Sequence, residues 1–468
     1  MLPQFTGQRS SILAGVATLV LVFSSICSTV KAADSSAAEL TTTGPTSDWP
    51  QFHGPAGIGT VEGNLPSEWT ANDYAWTVSL SGTDIGSPVI VDGVIYLIET
   101  APLNSDSQQL QTIRNRANKS IDLVAFDLAT GNELWRRKHP LVDRGRHSRN
   151  SAASTTPVVS GNQVFFVYCD AEGVYVQAYG TDSTPHWTRE LGPWTGVHGY
   201  GTSPMVVQDK LVLFNAQQAV KLDANQVPGQ SRVLAMDKKT GEDIWSTPLE
   251  TTRPSYGVPA VHPFIKPGDD PANPSLELIM ANTGNGIFSL DADTGKMRWS
   301  IKVFDKRSCS SPLVVTGLPG GDLAIGTCGS GGGGNMLSAV RIPASAGDQP
   351  QEAFQVRRAA PYVPTSAVKG QYLFAVSDSG IATCYDLNED GRLCWNQRLG
   401  GNFGASPIIV GDRLLMISLD GTAYITSATA TRSKIQRMDL GGRVGATPAY
   451  ADGRLVIRVG DQLRCLAQ

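Results

Sequence analysis

A chain of 468 residues with 49 Gly, 28 Pro and 17% charged residues has room for two or three ordinary domains, or for one large repeat fold. Its formal net charge of −4 gives no electrostatic reason to expect nucleic acid as a partner. Abundant Gly, Pro and Val with few helix-period patterns argue against an all-α chain and for an all-β one.

At the N-terminus, Arg9 precedes an apolar run from Ile12 to Ile26, and Val30-Lys-Ala32 has the small-residue pattern of a signal-peptidase site. The run is too short and too weakly flanked for a membrane span. Residues 1–32 are therefore expected to be a signal peptide, and the remainder a periplasmic or secreted protein with no transmembrane segment. Loss of Arg9 and Lys31 takes Lys plus Arg from 38 to 36 against 42 acids, a net charge of about −6. Cys27 suggests a lipid anchor, but Ile26 stands where a lipobox needs a small residue. Residues 33–48 are Ser/Thr/Ala-rich and read as a flexible lead-in. Residues 49–73 open with Trp49-Pro-Gln-Phe-His-Gly-Pro-Ala-Gly-Ile-Gly59, too rich in Gly and Pro for a strand interior, and are expected to cover the body.

Two signals then recur. The first is an Asp-to-Gly turn followed four residues later by Trp, seen at Ala125–Trp135, Ala235–Trp245 and Ser289–Trp299, and once more, one residue longer, at Cys384–Trp395. The Gly supplies the positive φ of a type I turn with a bulge, and the Asp bonds the turn's N–H groups. The second is a Ser/Thr-Pro pair opening a Val/Ile-rich strand: Ser87-Pro88, Thr156-Pro157, Ser203-Pro204, Ser311-Pro312, Ser406-Pro407 and Thr447-Pro448. Val258-Pro259 and Thr365-Ser366 are looser versions. Proline at the first residue of a strand removes no ladder bond. These eight starts lie 41 to 69 residues apart, close to the length of a four-stranded propeller blade.

Fourth strands are anchored at Trp135, Trp187, Trp245, Trp299, Phe354, Trp395 and Ile435, one fewer than the starts. Tyr74–Leu80, with Trp76, supplies the eighth. The expected fold is thus an all-β, eight-bladed propeller over residues 74–468, with four-stranded antiparallel blades and the strand at 74–80 completing the C-terminal blade. Closure of this kind removes an open edge. Trp76, Trp135, Trp187, Trp245, Trp299 and Trp395 are read as docking residues between blades, because a cofactor platform would not recur in nearly every blade.

Strand direction puts the first turns and the Asp-to-Gly turns on one face, here the turn face. The second-to-third connections and the inter-blade links share the other, the link face. The links carry Asp84, His147, Asn150, His198, Tyr200, Tyr256, Arg307, Tyr362, Asn402 with Phe403, and Arg443, a ring of side chains suited to a small polar ligand or a peptide, or else to plugging the channel. The run from Arg136 to Arg149 reads as a solvated basic loop. The six scattered His have no metal-ligand spacing, and Gly329–Gly334 lacks the Lys-Ser/Thr of a phosphate loop. Cys309 with Cys328 and Cys384 with Cys394 each flank a hairpin turn, so each pair is either a cross-strand disulfide or two free buried thiols.

The Asp-x-x-Thr-Gly-x-x-x-Trp repeats resemble those of bacterial PQQ-like propeller proteins, which share the tryptophan-docking repeat of quinoprotein alcohol dehydrogenases. Trp49–Pro55, His147-Ser-Arg-Asn-Ser151, His198-Gly-Tyr-Gly-Thr-Ser-Pro204 and Arg398–Pro407 extend the resemblance from Trp49 to the C-terminus. It implies an exported propeller, and for the enzymes a PQQ–calcium cofactor held against a disulfide of adjacent cysteines. This chain has no adjacent Cys pair and no Cys-x-x-Cys-His, so no cofactor is expected and a PQQ-dependent oxidoreductase is the alternative. A second resemblance is to the propeller lipoprotein of the outer-membrane β-barrel assembly machinery, which binds partners and catalyses nothing. The sequence therefore reads as a monomeric, non-catalytic binding or scaffold protein of the envelope, with an envelope protein or small polar ligand on the link face and outer-membrane assembly as a further alternative.

Overall fold

A computed structural model describes residues 48–103, 117, 119–266, 268–270, 272–345 and 347–467. The signal peptide, Cys27 and the lead-in as far as residue 47 lie outside the described residues.

Burial along each repeat explains why these segments become blades. Second and third strands, such as Lys210–Asn215 and Gly286–Asp291, are buried at every position. They are sandwiched between neighbouring blades and hence apolar on both faces. Outer strands such as Tyr74–Ser79 and Pro185–Glu190 have one wetter face, and their exposure alternates. The described residues form eight antiparallel blades of four strands. A fifth, two-residue strand, Thr60–Val61, adds in parallel to the inner edge of blade 7.

Tyr74–Ser79 pairs antiparallel with Gln462–Ala467, with Trp76 opposite Cys465, so both ends of the propeller lie in blade 8. The inner ring is stitched as well. At six of the eight junctions the Ser/Thr that opens a blade's first strand accepts a bond from the equivalent backbone N–H of the preceding blade: Thr156 to Ser203, Val258 to Ser311, Ser311 to Thr365, Thr365 to Ser406, Ser406 to Thr447 and Thr447 to Ser87, at 2.8–3.0 Å. The last of these joins blade 8 to blade 1. At the junction of blades 3 and 4, where Val258 has no hydroxyl, Thr202 donates to the Ser255 carbonyl instead.

The outer ring is held by tryptophan. Nε1 of Trp76, Trp135, Trp187, Trp245 and Trp395 donates to a turn carbonyl of the following blade, on Leu128, Thr181, Lys238, Ala292 and Thr429, at 2.9–3.1 Å. Three of the rings lie flat against the turn glycine of that blade. A Cβ on Gly131, Gly241 or Gly295 would sit 2.5–2.7 Å from Trp76, Trp187 or Trp245. These glycines serve twice, through φ near +74° and through the missing Cβ. Trp299 departs from the pattern. Blade 5 has no Asp-to-Gly turn to receive it, and its Nε1 donates to Glu277 within its own blade. Glu277 is fully buried, and it also accepts from Ser289, from Arg298 at 2.7 Å and from His262 at 2.7 Å. His262 contacts Asp322 of blade 5 through its other ring nitrogen, restoring a link between the two blades.

The segment expected to cover the body does something more specific. It starts at the first turn of blade 1, where Asp48 accepts from the N–H of Asp92, and ends at that of blade 7, where Val61 accepts from Gly411. Between them it fills the turn-face mouth of the channel. The inner-edge N–H groups of Ile90, Val159, Val368 and Ile409 donate to the carbonyls of Trp49, Pro50, Ile58 and Gly59. Trp49 and His53 are buried, and His53 contacts the Pro407 carbonyl at 2.9 Å. Edges that would otherwise face an open channel are thereby paired. Asn64 then meets Tyr450 and Trp69 meets Met438, carrying the chain outward to its place in blade 8.

All six described cysteines are free thiols, so neither candidate disulfide forms. The Cys309 thiol lies beside Tyr362 and Cys328 donates to Asp305, which turns the first pair toward different partners. In the second pair the bulge at Cys384/Tyr385 puts Trp395 opposite Cys384, yet the Cys384 and Cys394 thiols lie beside each other.

Candidate functional site

With the turn-face mouth filled, the link face is where side chains converge on open space. Each link delivers its residues from the end of one rigid blade to the start of the next, so their placement follows from the ring. Between the links after blades 2 to 5 lies a cleft of about 360 Å³, lined by Val197, His198, Gln218, Val220, Lys221, Arg253, Arg307, Gly329, Ser330, Gly331 and Tyr362. Three residues singled out in the sequence, His198, Arg307 and Tyr362, meet there. Four basic groups and no carboxylate line it. Among the described residues, Lys221, Arg253 and Arg307 form no ion pair, and Nε of Arg307 is buried without a partner. Val197 (38% exposed) and Val220 (41% exposed) give the cleft an apolar lip.

The groups beneath are built to stay neutral. Arg307 and the Cys309 thiol both lie beside the Tyr362 hydroxyl. Burial holds the Tyr362 phenol well above its ordinary range and pushes the Cys309 thiol up to about 12. That thiol is no nucleophile at neutral pH. Burial, then the nearby Arg307 and His147, hold His198 below the usual imidazole range, favouring its neutral form.

The remaining candidates divide. His147 stands edge-on to His198, ring centroids 5.5 Å apart. Asn150 donates to the carbonyls of His198 and Tyr200, and Tyr256 to that of Gly199, so both shape the loop that presents His198. Tyr200 is buried edge-on to Trp194. Asp84 is buried structural anchorage: it accepts from the Thr100 N–H and hydroxyl and pairs with buried Arg458 at 3.6 Å. Asn402 and Arg443 are exposed and do not line the cleft, and Phe403 is fully buried.

Reading the Arg136–Arg149 run as a solvated loop needs correction. Arg136 joins buried Glu99 and Asp122, Arg144 donates to the carbonyls of Trp194 and Gly196, and Arg149 reaches across the link-face mouth to the Phe403 carbonyl. Sequence reasoning also passed over Lys221, Arg253 and Gln218. The usable signal was topological: strand direction places residues 216–231 and the link at 249–259 on the link face.

No helix of the described residues is long and apolar enough to cross a membrane, and no group of three or more His, Cys, Asp or Glu among them is placed to hold a metal ion. No curated protein sequence matches the chain. Its fold is shared with solved structures of low identity. A europium-containing methanol dehydrogenase aligns at 13% identity and a TM-score of 0.60 over 89% of this chain and 90% of that one. BamB from Moraxella catarrhalis aligns at 13% and 0.54 over 84% and 97%. The quinohemoprotein alcohol dehydrogenase from Comamonas testosteroni aligns at 15% and 0.58 over 90% and 80%. A family model described as outer membrane protein assembly factor BamB matches residues 68–247, 229–319 and 349–457, well over half of the chain. Together with the blade-docking repeats, that match makes this chain a member of the PQQ-like β-propeller family to which the BamB model belongs.

Proposed function

We propose that this protein is an exported, non-catalytic binding propeller of the cell envelope that holds a protein partner at the link-face cleft. One observation carries the reading: residues 49–61 occupy the turn-face mouth, while the link face keeps an open cleft with unpaired cations beneath an apolar lip. Apolar contact ringed by charge is the usual make-up of a protein interface, and unpaired Arg and Lys select a partner with acidic side chains. The family's description makes outer-membrane protein assembly the role to test first.

A quinone–calcium pair does not fit this lining. It offers no Asp or Glu to a divalent cation, and burial keeps the Cys309 thiol beneath it protonated, so no redox step is assigned. The test is capture from envelope extract by the wild-type chain and by a Lys221→Gln/Arg253→Gln/Arg307→Gln variant. A partner held by wild type and released by the variant supports the reading. The same partners on both would remove the site from this cleft, and stoichiometric PQQ binding would remove the non-catalytic reading.

A further inference from the structure

A second concave site lies away from the channel, on the outer rim between blades 6 and 7. Blade 7 has the shortest outer strand of the ring, Gln436–Asp439, and Gln436, not a docking tryptophan, lies opposite Ile425. Residues 428–435 therefore run as a loop instead of continuing the sheet. That loop and the end of Arg392–Arg398 bound a groove of about 490 Å³. Tyr424 fixes its base by donating from its hydroxyl to the Leu399 carbonyl at 3.1 Å, which ties blade 7 to blade 6.

The walls carry Arg398, Arg432, Lys434 and Arg437 and no carboxylate. Among the described residues none of the four is ion-paired, although the chain as a whole is net acidic. Elsewhere the arginines are mostly tied down: Arg136, Arg298 and Arg392 to carboxylates, Arg144, Arg458 and Arg464 to carbonyls. Arg432 keeps a 3.4 Å bond to the Gln397 side chain and Arg437 lies over the Tyr424 ring. No carboxylate among the described residues neutralises any of the four, so three guanidinium groups and an ammonium around one short groove make a focused positive potential. Planar guanidinium forks match a tetrahedral oxyanion bidentately, and a group with two or more charges answers several cations at once.

We infer that this rim groove is a binding site for a polyvalent oxyanion, a phosphate group carried by a small soluble ester or by a lipid headgroup. The groove's volume suits a small ligand better than a folded partner.

The experiment uses the full chain and inorganic pyrophosphate as probe, with binding followed calorimetrically at low and at moderate salt. Wild type binds, more weakly at the higher salt. Arg432→Gln/Arg437→Gln weakens binding about tenfold or more, since two charge-assisted contacts are lost. Both side chains are exposed, and an unchanged melting temperature shows that the variant is folded. Lys221→Gln/Arg253→Gln, in the link-face cleft, is the comparison arm: loss of pyrophosphate binding there and not in the rim variant places the anion in that cleft. A parallel arm sediments the protein with phosphatidylglycerol or phosphatidylcholine vesicles. Retention on the anionic vesicles alone, lost in Arg432→Gln/Arg437→Gln, assigns the phosphate to a lipid; pyrophosphate binding without retention assigns it to a soluble ester. No binding at millimolar pyrophosphate, binding unaffected by the rim substitutions, or binding lost only with the link-face pair would each overturn the inference. So would capture of an acidic polypeptide with no affinity for pyrophosphate.

Discussion

Replacing Gly241 with Ala tests the docking of one blade on the next. Gly241 has φ +74° and a Cβ there would lie 2.7 Å from Cδ2 and Cε3 of Trp187. Holding an L-residue in the left-handed region costs about 1–2 kcal/mol. Forcing a methyl against a ring that is bonded to the Lys238 carbonyl adds about 1–3 kcal/mol of overpacking. The expected loss is therefore about 2–5 kcal/mol, measured by urea unfolding followed through tryptophan fluorescence. Gly93 is the control: its φ is +72°, but nothing lies within 4 Å of its Cβ position, so Gly93→Ala shows the backbone cost alone. In a Trp187→Leu background the steric part of the Gly241→Ala cost disappears, leaving a coupling of about 1–3 kcal/mol. Equal losses for Gly241→Ala and Gly93→Ala, or a Gly241 cost indifferent to Trp187, would refute the claim that the ring rests on the missing Cβ.

Three other outcomes follow from the same geometry. Glu277→Ala strands buried His262 and half-buried Arg298 and releases Trp299, so it loses about 3–5 kcal/mol in thermal or urea unfolding; a surface-like loss below about 0.5 kcal/mol would contradict that. Two histidines give opposite pH trends. Burial among Phe166, Tyr168 and Tyr179 lowers His139 to about 4, so the stability tied to its neutral form is lost as pH falls from about 6.5 through 4. His262 is raised against burial by bonds to Asp322 and Glu277, so its contribution is full below about 6.5 and fades as pH rises through its folded value. Stability profiles of His139→Phe and His262→Gln should therefore diverge from wild type at opposite ends of the range; divergence at the same end would show one assignment to be wrong. Finally, Trp49→Ala empties the start of the channel filling and loses about 3–5 kcal/mol in urea unfolding, whereas an ornamental cover would lose almost nothing.

The blades were legible in the sequence because each is written locally. Alternation, a proline at a strand start, a glycine after an Asp turn and a tryptophan four residues later are all short-range signals with one physical cause each. The unequal count of starts and anchors was enough to place Trp76 in the last blade, which the pairing with Cys465 shows. Even Ser87 and Thr447 were visible as strand openers, although nothing nearby indicated that the N–H of one would donate to the hydroxyl of the other.

What the fold alone decided has no local signature. Residues 49–61 lack periodicity, and their partners Ile90, Val159, Val368 and Ile409 are spread along the chain, so only the closed ring presents those edges together. Lys221, Arg253 and Arg307 become one site because a second-to-third connection of blade 3 and the links after blades 3 and 4 converge. Arg398, Arg432, Lys434 and Arg437 become another because one outer strand is short. Spacing along the chain determines which side chains a strand or turn can present. Whether a charge presented there finds a partner depends on what neighbouring blades bring within a few ångströms, and that is a property of the ring.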